Sequence, residues 1–282
     1  MKLRQFLLVL GSLLLLIQCQ PPAEQHAETS FLPLNAALVL RINQPERVQA
    51  LADSTDLGAL QSLPLAQLQG MSGKTWTGAL VPSGADKMDW IWTTERSDSS
   101  FSANLVEGEI SAIQDEFSAV RLGSAVAISK NAGLLQDALN QVRSGFNLIQ
   151  VPAFDKLWNN ASSTDALNLF VQHEEIQQIG ELFYEQDWSW LQHLASWSEV
   201  DLAVRKDGIL LTSVALSPDS SATFMSTFNQ GPVGSDVSEV VAASASYAVK
   251  MDIGDPVAWM RDYNTYRGKK QRLKRALQLL KE

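Results

Sequence analysis

The residues in this chain that could titrate, ligate or attack are few or scattered. The three histidines are His26, His173 and His193. His173 opens the string "HEEIQ", which has carboxylates beside it but lacks the second histidine four residues on that a zinc-binding helix needs. No metal site is therefore expected. "SGKTWTG" brings Gly73, Lys74 and Thr75 together as a phosphate loop does. Such a loop also needs a glycine five residues before Gly73, where Leu68 stands, and it must lead into a helix whose N-terminus meets the phosphate. Here it leads into a strand-like run. No G-x-S-x-G occurs, and the only cysteine, Cys19, lies ahead of the main body, so nucleophilic catalysis has no support. Two of the 31 acidic residues could pair as acid and base across a glycosidic bond, but spacing singles out no pair. The aromatic pattern is more informative. Trp90 and Trp92 alternate on one strand face, and Trp188 and Trp190 do so if that piece is extended. Exposed, these rings would stack on a sugar or line an apolar ligand cavity. Buried, they would fill the space between sheet and helices, and that is the expectation.

Cys19 has a setting of its own. Lys2 and Arg4 precede a run of twelve mostly apolar residues, 6–17. As a helix, this run spans roughly 18 Å, short of the approximately 20 residues that cross a bilayer. It has the shape of an export signal, but without a small-residue cleavage pattern. It ends instead in Leu16-Ile17-Gln18-Cys19. These residues resemble the lipobox of bacterial lipoproteins, departing from it at Gln18, where a small residue is usual. The resemblance implies that residues 1–18 are a signal peptide and that Cys19 is lipid-modified (palmitate among the chains) and becomes the mature N-terminus. One acyl chain holds a protein only marginally, so stable anchoring calls for more than one. Residues 20–30, "QPPAEQHAETS", are polar and proline-bearing and read as a tether.

Charge narrows the partners. Taking away Lys2 and Arg4 leaves 20 basic against 31 acidic residues, a net of −11. The distribution is uneven, because residues 261–282 hold eight basic and two acidic residues, leaving −17 on residues 19–260. An acidic body is repelled by phosphate backbones, which argues against a nucleic-acid partner. From residue 268 on, Leu273, Ala276, Leu277 and Leu280 fall on one helical face among bases. Such a helix can lie on an anionic membrane or dock on the acidic body.

The elements that would position these residues follow from periodicity. Residues 36–42 are an apolar, β-branched strand, and Asn43, Pro45 and Glu46 are suited to start a helix directly after it. Strand-like runs at 74–81, 87–94, 101–109, 117–122 and 124–129, with turn residues between them, predict an antiparallel meander. Helices are predicted at 132–142 and 152–161. The second half repeats the vocabulary, with a strand at 166–172, a helix at 174–184, a hairpin over 199–216 turning at Lys206-Asp207-Gly208, and a helix at 221–230. "LVLRINQPERV" from 38 and "YAVKMDIGDPV" from 247 share a pattern: three apolar residues, a base, an apolar residue, Asn43 or Asp252, then a proline-led helix. This predicts an internal repeat offset by 209 residues up to Asn43 and Asp252.

With its lipoprotein-type signal and "LPLNAALVLRI", the layout is similar to an uncharacterised family of exported bacterial proteins in which a proline, here Pro33, precedes a strand like 37–40. The resemblance brings no enzymatic activity and no catalytic residue. The expected fold is α+β, antiparallel sheet with helices packed on one face. The expected divisions are 1–18 signal, 19–30 lipidated Cys19 and tether, 31–146 and 147–235 two α+β subdomains, and 236–282 a repeat start or a C-terminal strand with a basic helix. The expected function is that of a lipid-anchored cell-envelope protein on the periplasmic side of a membrane, the outer membrane by preference. It would work by binding or scaffolding, without cofactor or catalysis. Its partners would be the membrane, through lipidated Cys19, and another envelope protein or an apolar ligand. An apolar-ligand carrier with a cavity between sheet and helices is one alternative, and a carbohydrate-active enzyme with paired carboxylates is another.

Overall fold

The computed structural model describes residues 27–54, 75–84, 87–95, 104–113, 116–176, 191–205, 208–217, 223–228 and 253–279. Apolar and β-branched residues make the strands, and proline, glycine and asparagine set where they stop. Leu38–Ile42 is β1, followed by α1 (Pro45–Ser54). Then come β2 (Trp76–Gly84), β3 (Lys87–Glu95), β4 (Ser111–Ala112), β5 (Ser118–Leu122) and β6 (Ala125–Ser129). Two helices, α2 (Ala132–Arg143) and α3 (Pro152–Asn160), lead to β7 (Leu167–Gln172). The hairpin β8 (Trp197–Arg205) and β9 (Gly208–Leu216) precedes a long helix, α4 (Pro256–Leu279). The fold is α+β, as the sequence predicts, and every strand pairing is antiparallel.

All nine strands form one sheet in the order β4-β5-β6-β3-β2-β1-β7-β8-β9. The sheet is thus continuous through both halves of the chain, and β1 joins them by pairing with β2 on one side and β7 on the other. Alternation along β1 assigns the two faces. Val39 points into a core built with α2 and α3, containing Leu135, Leu139, Phe154 and Phe170. Leu40 and Ile42 point the other way, into a core with Val48 of α1, Trp76, Trp92 and Leu167.

The helical face is closed by aromatic packing. Phe154 stacks with Trp158 at 5.7 Å between ring centroids and meets Phe170 at 5.3 Å and Trp197 at 5.1 Å. All four are at most 3% exposed, and burying a large apolar side chain stabilises by about 1.5–3 kcal/mol. Local signals hold the helices in place. Asn131 caps α2, its Oδ1 accepting the Leu134 N–H at 3.2 Å, while its Nδ2 donates to Asp89 at 2.7 Å. Pro152 opens α3, where a missing N–H costs nothing.

The elements differ from expectation in three places. The strand predicted over 101–109 is, among described residues 104–109, a turn with a single bridge from Glu107 to Arg121, because Gly108 turns the chain with φ of +72°. The helix predicted over 221–230 is, in its described part, a short 3-10 turn, Met225–Phe228. Asn43 sends its side-chain amide away from α1 and into residues 162–168. The strand-like run at 247–252, on which the 209-residue repeat rests, lies outside the described residues, as does the predicted helix beyond Ile176. Among the described residues no helix is long and apolar enough to cross a membrane.

Candidate functional site

A polar row crosses the helical face of the sheet. Register places Thr93, Thr77, Arg41, Asn168, Asp201 and Thr212 side by side on β3, β2, β1, β7, β8 and β9. The adjacent row is apolar except at one place, where Glu199 stands between Phe170 and Val214. Polar groups in such a stripe cost free energy unless they are paired; Asn168 and Asp201 are, whereas Thr77 Oγ1, Arg41 Nε and Glu199 Oε1 have no hydrogen-bond partner among the described residues.

Arg41 sits at the centre of the row. Its guanidinium lies 4.6 Å from the Trp158 ring centroid and 3.7 Å from the Glu28 carboxylate, on the short 3-10 helix Ala27–Thr29. The indole face takes the weakly hydrated cation and Glu28 balances its charge. Burial still works against the charged form, lowering the Arg41 pKa from its ordinary value.

Next to Arg41, Asn43 and Asn168 tie the 162–168 segment to the sheet. Asn43 Nδ2 donates to Asn168 Oδ1 at 2.8 Å and to the Asp165 carbonyl at 3.1 Å. Asn168 Nδ2 donates to the Ser162 carbonyl at 3.0 Å and to Asp201 Oδ1. Asp201 Oδ1 also accepts the Ser162 N–H at 3.3 Å.

Glu199 completes this network. It is 3% exposed, and its carboxyl is pushed up to about 8, first by burial, then by the hydrogen bond with Asp201 and the negative charges of Asp201 and Asp165. At neutral pH Glu199 therefore keeps its proton, since burial and the neighbouring negative charges both work against the ionised form. Positions i and i+2 of a strand share a face, so the spacing E-x-D was visible in the sequence. What was not visible was which of many carboxylates would be buried.

A second feature is an open cleft of about 500 Å³ beside α2, lined by Pro33, Asn35, Pro82, Leu134, Asp137 and Gln141 among others. It mixes apolar walls with amide and carboxylate groups, a lining suited to a small polar ligand or a peptide turn.

The sequence-derived candidates fall in different places. Trp90 and Trp92 do lie on one face of β3 and stack at 5.0 Å with 21° between their planes. Trp92 is 1% exposed, and its ring covers Gly78 so closely that a Cβ there would stand 2.4 Å from a ring carbon. Trp90 is partly buried and packs against the small cluster of Ala37 and Leu80. This aromatic pair is on the face opposite Glu199 and Asp201, so the tryptophans and the acid pair do not meet. Trp188, Trp190 and Cys19 lie outside the described residues. His173 is buried, with Nδ1 3.1 Å from the Leu191 carbonyl and Nε2 2.9 Å from Ser198 Oγ. Burial lowers its pKa, which favours a neutral imidazole held as a packing element. Thr75 leads into β2, and its carbonyl accepts a bond from Thr94 Oγ1 at 2.7 Å. Among the described residues no group of three potential ligands could hold a metal ion.

Comparison with known proteins adds little to this geometry. No family model matches the chain, and no curated protein matches it. One solved structure that is similar is crystal form I of TP0453, with 10% sequence identity and a TM-score of 0.39, covering 67% of this chain and 78% of that one.

Proposed function

We propose that this is a lipid-anchored cell-envelope protein that acts by binding or scaffolding. The observation that carries the reading is Cys19, the only cysteine, placed directly after a twelve-residue apolar run and before a polar, proline-bearing stretch. A thiol there has no partner for a disulfide, and as an acylated N-terminus it would tether the body to a bilayer. The acidic body has little affinity for an anionic surface by itself, so a covalent anchor explains how such a chain would stay at a membrane. The cleft beside α2 is the surface offered for binding. Its rim residues Asn35, Asp137 and Gln141 would hydrogen-bond a polar ligand or peptide backbone, with Pro33, Pro82 and Leu134 in apolar contact.

The test is replacement of Cys19 by Ala in the full chain, with fractionation of the envelope and metabolic labelling by a radioactive fatty acid. After a high-salt wash the wild type is expected in the membrane fraction with label, and the variant in the soluble fraction without it. A variant that stays unlabelled but fully membrane-bound after a high-salt wash sinks the anchor reading.

A further inference from the structure

The α4 helix follows the last strand of the sheet and packs on a short segment, not on the sheet itself, among the described residues. It meets the body through an aromatic cluster, in which Trp259 and Tyr263 stack at 5.1 Å and Tyr263 and Tyr266 face Phe224 of the 223–228 segment at 6.4 and 6.1 Å. Residues 259, 263 and 266 share one helical stripe. The opposite stripe presents Val257, 80% exposed, Met260, 49% exposed, and the exposed Arg261. The helix continues to Leu279, and the sequence over 261–281 supplies Arg261, Arg267, Lys269, Lys270, Arg272, Lys274, Arg275 and Lys281 against one acid, Asp262.

We propose that α4 is a membrane-surface contact that recognises anionic lipid headgroups. It would be a second attachment, independent of Cys19, that fixes how the body sits on the bilayer. Three observations favour this occupant. Exposed apolar residues beside a dense run of bases are the signature of a helix that lies in the interfacial plane. Neither of the two bases whose side chains are described is used on the acidic body: Arg261 is paired with its own neighbour Asp262, and Arg267 lies over the Tyr263 ring at 5.9 Å. A second copy of α4 is excluded by charge, since two such helices repel. A nucleic-acid phosphate backbone would use the bases but leave Val257 and Met260 in water, and would face the −17 body without an anchor to hold the two together.

The full mature chain carrying Cys19→Ala isolates this contact, so that its failure and the failure of the lipid-anchor reading are distinguishable. Binding is measured by co-sedimentation with phosphatidylcholine vesicles and with vesicles containing phosphatidylglycerol, at low and high salt. A first variant replaces Lys269, Lys270, Arg272 and Lys274 by Gln, a residue of similar helix propensity. A second replaces Val257 and Met260 by Ser. Binding to the anionic vesicles is expected to exceed that to neutral ones by about a hundred-fold at low salt, and to fall by at least about ten-fold at ~0.5 M salt. The Gln variant should lose most of the binding with an unchanged circular dichroism spectrum, and the Ser variant should lose a smaller part. Equal binding to both vesicle types, retention of binding by the Gln variant, or no binding by the parent chain each overturns the proposal.

Discussion

Replacing Glu199 by Gln probes the buried acid pair directly. The native carboxyl is held up to about 8, against an ordinary value of 4.5. The folded protein therefore keeps this proton through neutral pH, whereas the unfolded chain releases it above about pH 4.5. Folding is then fully favoured, as far as this group is concerned, below about pH 4.5. Stability declines as pH rises toward 8 and levels off above it, where both states are ionised. With each pH unit worth about 1.4 kcal/mol in the region between the two values, the loss from about pH 5 to about pH 8 comes to roughly 3.5 kcal/mol, with a ceiling near 5. Gln keeps the size of the side chain and an N–H for Asp201 but cannot titrate. Urea unfolding of both proteins at several pH values between 5 and 8 gives the difference in stability, in which titrating groups distant from Glu199 cancel. The difference should move in favour of the variant by about 3.5 kcal/mol across this window. A difference that stays constant to within about 0.5 kcal/mol would mean that Glu199 titrates alike in both states, and the argument from burial beside Asp201 would fail.

Two further substitutions test packing elsewhere on the sheet. Gly78→Ala puts a methyl 2.4 Å from the buried Trp92 ring, so a loss of about 1–3 kcal/mol or more is expected in denaturant unfolding, with partial recovery when Trp92 is shortened to Leu; an unaffected midpoint would mean the ring does not rest there. Asn131→Ala removes the cap of α2 and the donor that Asp89 uses at 2.7 Å, for an expected cost of about 1–2 kcal/mol, and thermal unfolding at matched pH would expose a cost near zero.

Local rules were enough for most of the elements. Apolar, β-branched runs separated by turn residues read β1, β3, β6 and the β8–β9 hairpin from the sequence, and the helices predicted at 132–142 and 152–161 are α2 and α3. The misreadings come where long-range contacts outbid local chemistry. Asn43 has the residue type of a helix cap, yet three acceptors on 162–168, more than a hundred residues away, take its amide. Residues 104–109 have strand-like composition, but no partner runs beside them apart from the one bridge at Arg121. The tryptophan alternation on β3 was legible, and so was the preference for core over surface. The polar row was not, because its members are ordinary one by one: a Thr, an Arg, an Asn and an Asp on strands far apart in sequence. Only the sheet order makes them neighbours.

That order also explains why the row is tolerated at all. β1–β2–β3 and β7–β8–β9 are two consecutive antiparallel triplets that meet at the β1–β7 pair. At that seam the helical face must accept the chain crossing from α3 into β7, with several backbone groups to satisfy over a few residues. Asn43, Asn168 and Asp201 satisfy carbonyls and an N–H of Ser162 and Asp165 there. Glu199, one row further into the apolar core, can follow them only in its neutral form. The raised pKa follows from burial between Phe170 of β7 and Val214 of β9, beside Asp201 and Asp165, and the acid belongs first to the architecture. If β7 and β8 open, Glu199 meets water and ionises. The alkaline loss of stability predicted for the wild type should therefore show in β7, where the amides of residues 167–172 are expected to have lower protection factors at about pH 8 than at about pH 5 once the faster intrinsic exchange in base is divided out, with Glu199→Gln removing the difference.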